Sequence, residues 1–300
     1  MQTVRLLPAK LSFMLNPRTL AGPRSRSLRV QAWVEAYPLI DRQLSPLGLE
    51  AMAALALSPG ATVLDVGCGA GQTLGQLAEI VGASGRIIGI DVAEPLLTVA
   101  AQRMRALLNV SVIEADAQTI DLPSESADAI YSRFGVMGFA DPVAAFTNFR
   151  RMLRPSGRLA FVCWRALDEN ELDHLPLTAA GIPGVSDDAP FSFADPRVID
   201  EVLGRAGFEG VEVRAYNARV SSGDLDAMTE VLLKVGSLGK IVREHPARRA
   251  DVEPRLRAAL AKLGDPAQVS LTASVWIVTA HAPVTGVTHR SLTATATRGR

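Results

Sequence analysis

An apolar stretch that begins at Val63 ends in Asp65 and continues into three glycines at alternate positions, Gly67, Gly69 and Gly71. A helical pattern begins directly after them. A strand, a glycine turn and a helix N-terminus together bind anionic or nucleotide-like ligands, because backbone N–H groups point at the ligand. Glycine suits the turn since it adopts unusual backbone angles and carries no side chain that would keep a ligand from the backbone. The loop alone predicts a nucleotide-like ligand without saying which.

Carboxylates stand at the ends of the first three apolar runs. Asp91 follows Gly71 by twenty residues, where a carboxylate can accept hydrogen bonds from both ribose hydroxyls of a nucleoside. Asp116 ends the next run and is placed to accept a hydrogen bond from an adenine amino group. Asp65 stands at the end of the first run, where it can orient the loop and attract an ammonium group.

The glycine spacing separates two classes of ligand. A dinucleotide fingerprint of the form GxGxxG would need its third glycine at position 72, which is Gln72 in this chain. The negative charge of a pyrophosphate would also be repelled by the three carboxylates. A ligand with a cationic sulfonium, an α-amino group, an adenosine and one carboxylate fits this set better. The residues therefore favour such a ligand over NAD.

Several segments resemble the successive signatures of class I S-adenosylmethionine-dependent methyltransferases. The resemblance covers about residues 30–282 and is most specific over 60–165. It extends to the small-molecule group that includes the ubiquinone and menaquinone biosynthesis methyltransferases. One departure is Arg158, which comes directly after the glycine of the fifth signature turn. The matching segments are 63–71, 89–91, 114–117, 132–137, 153–157 and 161–165.

The resemblance implies a fold and a set of cofactor contacts. The fold is α/β, a Rossmann-like, doubly wound seven-stranded sheet, mostly parallel with one antiparallel strand, in the order 3-2-1-4-5-7-6. The three loop glycines would admit the methionine portion, Asp91 would bind the ribose, and Asp116 with the Ala117 amide would bind the adenine. Ser132 and Arg133 would give main-chain contacts to the amino group. The full set of expected cofactor-binding residues is Asp65, Gly67, Cys68, Gly69, Gly71, Asp91, Val92, Asp116, Ala117, Ser132 and Arg133.

The implied activity is SN2 transfer of a methyl group from S-adenosylmethionine to a small-molecule acceptor. The donor is already activated, so the protein mainly aligns the reactants and excludes water. We therefore name no catalytic residue and expect no metal. His174 is a candidate general base that we expect to be only solvated, and Tyr37 lies on a helix expected to close over the cofactor. The alternatives are a non-catalytic S-adenosylmethionine-binding module and, less favoured, an NAD-dependent oxidoreductase.

Composition agrees with a globular enzyme. The chain has 300 residues, of which 48% are hydrophobic and 21% charged, and no apolar run approaches the roughly 18 to 20 residues that span a bilayer. Cys68 and Cys163 are the two cysteines, so we expect no disulfide framework and a cytoplasmic location. Nothing in the sequence decides the acceptor or the oligomeric state.

Charge is distributed unevenly. Residues 1–30 hold six basic and no acidic side chains, which leaves 25 basic against 31 acidic residues in the rest. The negative net charge of residues 31–300 disfavours nucleic-acid binding, which needs a basic surface. Residues 1–30 are interpreted as a disordered arm, a start codon placed too far upstream or a targeting peptide, with an untidy bacterial N-terminus favoured.

The elements that must hold these residues alternate between strands and helices, which predicts a parallel sheet with ligands at the carboxyl ends of its strands. One methyltransferase domain is expected over 31–283, with a helical lid at 31–57 that breaks at Pro38. A cofactor-binding half at 58–165 and a substrate-side half at 166–283 follow, and the latter has a loop-rich segment at 165–194 and a helical insertion at 222–266. A disordered tail is expected at 284–300. The expected strands are 61–66, 86–91, 110–114, 128–132, 158–164, 208–218 and 269–280.

Overall fold

The computed structural model describes residues 23–182 and 189–284. Within them lie seven strands: β1 (Thr62–Val66), β2 (Arg86–Asp91), β3 (Val110–Glu114), β4 (Ala127–Arg133), β5 (Leu153–Trp164), β6 (Glu209–Gly223) and β7 (Val269–His281). They form one sheet in the order β3-β2-β1-β4-β5-β7-β6. The pairs from β3 to β5 are parallel, and β7 is antiparallel to both β5 and β6. The expected fold class and strand order are confirmed.

Helices cover both faces of the sheet. They are α1 (Pro23–Leu55), α2 (Gln72–Val81), α3 (Glu94–Met104), α4 (Pro142–Met152), α5 (Glu171–Ala179), α6 (Pro196–Ala206), α7 (Leu225–Lys234), α8 (Gly236–Glu244) and α9 (Arg249–Leu260). Successive strand residues point to opposite faces, so Val63 belongs to the core under α1, α2 and α3, while Leu64 belongs to the core under α4 and α6. This layering leaves the carboxyl ends of β1 to β5 along one edge.

Helix α1 differs from the expectation in two ways. The expected break at Pro38 is wrong, because the helix runs on through Pro38 and Pro46. It also includes residues 23–30, which were expected to belong to a disordered arm, while residues 1–22 lie outside the described part. A proline inside a helix costs about 3 kcal/mol through its missing N–H and its ring. Burial of the apolar face offsets that cost: Ile40, Leu44, Leu47, Ala51, Met52 and Leu55 are all at most 6% exposed.

The segment after β5 is more regular than expected. Residues 165–194 were expected to be loop-rich, yet α5 forms within them and contains Pro176. Leu172 and Leu177 are buried on one side of this helix. Asn170, just before it, accepts a hydrogen bond from Ser274 N on β7 at 2.7 Å. Tertiary packing therefore orders a segment whose composition suggests a loop. Residues 183–188 lie outside the described part.

The helical insertion expected at 222–266 is present as α7, α8 and α9. Strand β6 is longer than expected and continues to Gly223 because it stays paired with β7. In the described part of the chain, no helix combines the length and the apolar character needed to cross a membrane. The expected tail lies outside the described residues from position 285 onward.

Candidate functional site

The glycine loop joins β1 to α2 at the carboxyl edge of the sheet. Gly67, Gly69 and Gly71 have φ values of 73°, 51° and 83°, in the left-handed region that glycine adopts without a Cβ clash. The amide of Gly67 donates to Ile90 O on β2 at 2.8 Å. The loop is thus held against the neighbouring strand.

Two of the three glycines are required by packing inside the protein. A Cβ on Gly67 would lie 2.6 Å from the Cα of Gly135, and one on Gly71 would lie 2.9 Å from the Cβ of Ala100. Gly69 is different, since a Cβ there would meet no atom within 4 Å. The side of the loop at Gly69 is therefore the side that a ligand can approach.

Asp91, at the end of β2, fixes the loop. Its Oδ2 accepts a hydrogen bond from Gly69 N at 2.9 Å, and its Oδ1 accepts one from Ala93 N at 2.9 Å. Burial raises the pKa of this carboxyl, and the backbone amides that donate to it oppose the rise. Each carboxylate oxygen has two acceptor positions, so both can still accept a ligand hydroxyl.

Asp65 lies fully buried beneath the loop. Its Oδ2 accepts a hydrogen bond from the Thr73 hydroxyl on α2. Its Oδ1 has no hydrogen-bond partner among the described residues. Burial raises the pKa of Asp65 to about 7, while the Thr73 hydrogen bond and the positive charge of Arg133 oppose the rise. A buried unpaired carboxylate oxygen is costly, and a cationic ligand group would satisfy it.

The adenine side of the expected site lies at the ends of β2 and β3. Ala115 N donates to Asp91 O at 3.0 Å, which brings Asp116 to the same edge as Asp91. Asp116 is exposed, and its Oδ1 accepts a hydrogen bond from Gln118 N at 2.9 Å. Ala117 is buried, whereas Val92 is 66% exposed. The sequence-predicted residues on this side thus share one edge of the sheet.

The end of β4 forms the opposite wall. Ser132 is fully buried, and its hydroxyl donates to Val66 O at 2.7 Å, which ties β4 to the end of β1. Arg133 donates from one guanidinium nitrogen to Gln72 Oε1. Phe134 has a left-handed φ of 61° and stacks on Trp164 with ring centroids 4.1 Å apart. Strained backbone at such a position is typical of ligand sites.

Helix α1 covers the loop and encloses a cavity of about 40 Å³. That volume holds only a few water molecules. Tyr37 lies in its wall, as expected for a helix that closes over the cofactor. Its full lining is Trp33, Tyr37, Ile40, Asp41, Leu44, Gly67, Cys68, Gly69, Ala70, Thr73, Arg133 and Phe134.

Sequence reasoning missed Asp41 and Arg103, which meet at this wall. Asp41 lies one helical turn after Tyr37, and Arg103 on α3 stacks over the Tyr37 ring with its guanidinium carbon 5.0 Å from the ring centroid. One signal was available in the sequence: Asp41 is an acid on an otherwise apolar helix stripe, and a buried charge of that kind needs a partner.

A larger depression of about 540 Å³ lies at the opposite edge of the sheet. It is lined by residues 55–61, Asp128, Ala129 and 154–158, at the amino ends of β1, β4 and β5. Ligands of parallel sheets bind at the carboxyl ends of the strands. We therefore place the functional site at the glycine loop.

Neither His174 nor Cys68 is placed or activated for a catalytic role. His174 is exposed on α5 and is not part of the cavity wall. Cys68 is 4% exposed, and burial followed by the charges of Asp65 and Asp91 raises the pKa of its thiol, which leaves it a packing group. Across the described residues, no group of three or more His, Cys, Asp or Glu side chains could hold a metal ion.

Comparison with known proteins identifies the central part of the chain. Residues 63–157 match the model of a family described as a methyltransferase domain. This part of the chain is therefore similar to methyltransferase domains. The matched residues run from β1 to the turn inside β5 and include the glycine loop, Asp91, Asp116 and Arg133. S-adenosylmethionine is the cofactor of such methyltransferase domains, as the resemblance implied.

Two curated relatives of this methyltransferase domain are a nocamycin O-methyltransferase from Saccharothrix syringae and a 2-phytyl-1,4-naphthoquinone methyltransferase from Synechococcus elongatus. The first is 40% identical over 34% of this chain and 37% of its own length. The second is 34% identical over 36% of this chain and 47% of its own length. The chain therefore matches less than half the length of these relatives.

A solved structure extends the likeness to the fold. It is phosphoethanolamine N-methyltransferase 2 from Haemonchus contortus, in complex with phosphomonomethylethanolamine and S-adenosylhomocysteine. The TM-score is 0.54 at 16% identity, over 86% of this chain and 57% of that one. Since it covers 86% of this chain, the likeness in fold extends beyond residues 63–157.

Three observations show that the site fits S-adenosylmethionine. The loop is open only at Gly69, where a Cβ would meet no neighbour. Asp65 Oδ1 is a buried acceptor without a partner, suited to an ammonium group. Asp91 presents a fixed carboxylate at the end of β2, where a ribose-binding carboxylate is expected after such a loop.

Proposed function

We propose that this protein transfers a methyl group from S-adenosylmethionine to a small-molecule acceptor. The observation that carries the proposal is the glycine loop held to β2 by Asp91 and open at Gly69, inside a matched methyltransferase domain. The curated relatives are named for transfer to small organic molecules, which supports an acceptor of that class.

In this proposal the sequence-predicted residues contact different parts of the cofactor. Asp91 accepts hydrogen bonds from the ribose hydroxyls, and Asp116 with the Ala117 amide binds the adenine. Val92, which is 66% exposed, offers an apolar surface to the ring. Asp65 faces the ammonium group through its free Oδ1. Cys68 belongs to the loop as a packing residue, and the Ser132 hydroxyl braces the end of β4.

The protein's contribution to catalysis is alignment and exclusion of water. When bound, S-adenosylmethionine supplies a methyl carbon activated by its sulfonium for direct SN2 displacement. Helix α1 shields the loop with apolar side chains, among them Trp33, Ile40 and Leu44. Phe134 extends this apolar wall on the β4 side, which favours an apolar acceptor.

The state of the two cysteines supports a proposal for the cellular compartment of the protein. Cys68 and Cys163 are both buried and free. Free buried thiols fit a reducing compartment, so we place the protein in the cytoplasm.

The proposal is tested by methyl transfer from S-adenosylmethionine that carries a deuterated methyl group. The purified protein is incubated with it and a panel of phenols, quinols, carboxylic acids and amines, and products are analysed by mass spectrometry. We expect one labelled methyl group on at least one panel member, and at least about tenfold less product with Asp91→Asn at the same sub-saturating concentration of S-adenosylmethionine. Binding of S-adenosylmethionine without transfer to any small molecule of the panel or of a bacterial metabolite extract would favour the non-catalytic binding module.

A further inference from the structure

Asp41 on α1 joins two arginines, one on helix α3 and one at the end of strand β4. Its Oδ2 lies 2.8 Å from an Arg103 guanidinium nitrogen on α3, and its Oδ1 lies 3.3 Å from one of Arg133 at the end of β4. The same Arg103 nitrogen also donates to Ala70 O at 2.8 Å, and Arg133 donates to Gln72. One carboxylate therefore ties α1, through the two arginines, to the end of the glycine loop that enters α2.

The three side chains lie where the amino-acid end of the cofactor must enter. Asp41 and Arg133 have side chains only 10% exposed, and both line the cavity beside Gly69. An α-carboxylate that enters this cavity must therefore compete with Asp41 for the Arg133 guanidinium.

The charges favour a second carboxylate there. Two guanidinium groups share the single carboxylate of Asp41. Arginine binds carboxylates through paired, charge-assisted hydrogen bonds. Asp65 accepts a hydrogen bond from Thr73, which lines this cavity, and its Oδ1 has no partner among the described residues and suits the ammonium group. Together, Arg133 and Asp65 match both charges of an α-amino acid.

Helix α1 has a local weak point at Pro46, between the turn that carries Asp41 and a buried turn that is fixed to β4. Beyond Pro46, Gly48 O accepts a hydrogen bond from the Tyr131 hydroxyl at 3.0 Å, and Leu47 and Ala51 are fully buried. Pro46 has no N–H to donate to the preceding turn, so the helix is weakened there. Asp41 lies on the part that precedes Pro46.

Resting on the proposed function, we propose that Asp41 is an internal substitute for the α-carboxylate of S-adenosylmethionine. It holds α1 against the glycine loop through Arg133 and Arg103. The cofactor carboxylate then takes its place on Arg133 and releases Asp41 from that arginine. Asp41 thus couples the position of α1 to recognition of the amino-acid end of the cofactor.

The test compares ligands with and without the amino-acid carboxylate by isothermal titration calorimetry. The ligands are S-adenosylmethionine, its decarboxylated form and 5′-methylthioadenosine, which lacks the whole amino-acid end. The variants are Asp41→Asn and Arg133→Gln. The control is Glu35→Gln, which breaks the 2.9 Å pair between Glu35 and Lys234 elsewhere on α1. Thermal unfolding of each variant reports whether it is folded.

Removing a competing internal carboxylate raises the fraction of molecules competent to bind, so Asp41→Asn should tighten S-adenosylmethionine binding by about three- to tenfold. Binding of 5′-methylthioadenosine should change less than about twofold, because its adenosine contacts do not involve Asp41. Arg133→Gln should weaken S-adenosylmethionine binding at least tenfold, about 1.4 kcal/mol, and should remove the preference over the decarboxylated form. Glu35→Gln should change none of these affinities.

Weaker binding of S-adenosylmethionine by Asp41→Asn, or equal tightening of all three ligands, would overturn the substitute role. So would an Arg133→Gln protein that still prefers S-adenosylmethionine over its decarboxylated form, a result that does not depend on the Asp41 variant folding. In each of these cases the proposed function stands, because the wild-type protein still binds the cofactor. Absence of S-adenosylmethionine binding to the wild-type protein would overturn the proposed function itself.

Discussion

The carboxylate of Asp91 accepts a hydrogen bond from the backbone amide of Gly69, with Oδ2 and N 2.9 Å apart. This bond links the end of β2 to the one glycine of the loop that faces open space. The same side chain is therefore placed both to shape the loop and to contact a ribose. Loss of its charge should affect both tasks.

Asp91→Asn should weaken S-adenosylmethionine binding by about 10- to 100-fold, since a hydrogen bond to a charged group is worth about 1.5 to 3 kcal/mol. Isothermal titration calorimetry measures the change. Glu114→Gln is the matched control, because Glu114 pairs with Asp91 in the sheet register but is exposed. Its affinity should stay within about twofold of wild type. Equal losses in both variants would contradict a specific role for Asp91.

Gly69→Ala should mainly weaken ligand binding, whereas Gly67→Ala should mainly lower the stability of the fold. A methyl group on Gly69 points into open space on the ligand side, so the protein should fold, lose about 1 kcal/mol through its left-handed φ, and bind S-adenosylmethionine at least about tenfold more weakly. A methyl group on Gly67 would lie 2.6 Å from Gly135 and should lower the free energy of unfolding by about 2 to 4 kcal/mol. Urea unfolding and calorimetry separate the two. The reverse ranking of stabilities would contradict this division of roles.

Asp65 predicts a pH dependence of stability. Burial raises its folded-state pKa to about 7 from an ordinary value of 3.8. Between these values the folded carboxyl keeps a proton that the unfolded chain has lost, so the free energy of unfolding falls as pH rises and levels off above pH 7. From pH 5 to 8, Asp65→Asn should gain about 3 kcal/mol relative to wild type. Urea unfolding at several pH values tests this, and parallel profiles would rule out the raised pKa.

Arg154 tests the location of the site. It pairs with Asp128 at the edge opposite the glycine loop, and both side chains are more than a third exposed. Arg154→Gln should change the free energy of unfolding by less than about 1 kcal/mol, as for other exposed ion pairs, and leave S-adenosylmethionine binding unchanged. A large loss of affinity would place the ligand in the 540 Å³ depression instead.

Local signals made much of the fold predictable. The bounds of β2 and β3 agree with the expected 86–91 and 110–114, because each strand is a short apolar run that ends at a polar residue. Helix α6 begins after Asp195 and ends before Gly207, which has a left-handed φ of 81°, and both residue types favour helix caps. In these cases the information lies within a few residues of the boundary.

The remainder depends on contacts distant in sequence. The pairing of Asp41 with Arg103 and Arg133 joins residues 62 and 92 positions apart, which no local pattern encodes. Pro38 lies inside α1 because the buried face of the helix outweighs the local cost of proline. The packing roles of Gly67 and Gly71 likewise need the positions of Gly135 and Ala100. Sequence reasoning thus named the loop and the helix that covers it, but not the contacts that join them.

The most direct test of the central claim is calorimetric titration of the wild-type protein with S-adenosylmethionine, S-adenosylhomocysteine and NAD in parallel. We predict one site per chain for the two sulfur-containing ligands, with dissociation constants on the order of micromolar, about −8 kcal/mol, and no heat of binding for NAD. Binding of NAD, or no binding of S-adenosylmethionine and S-adenosylhomocysteine, would contradict the assignment of the glycine loop to the methyl donor.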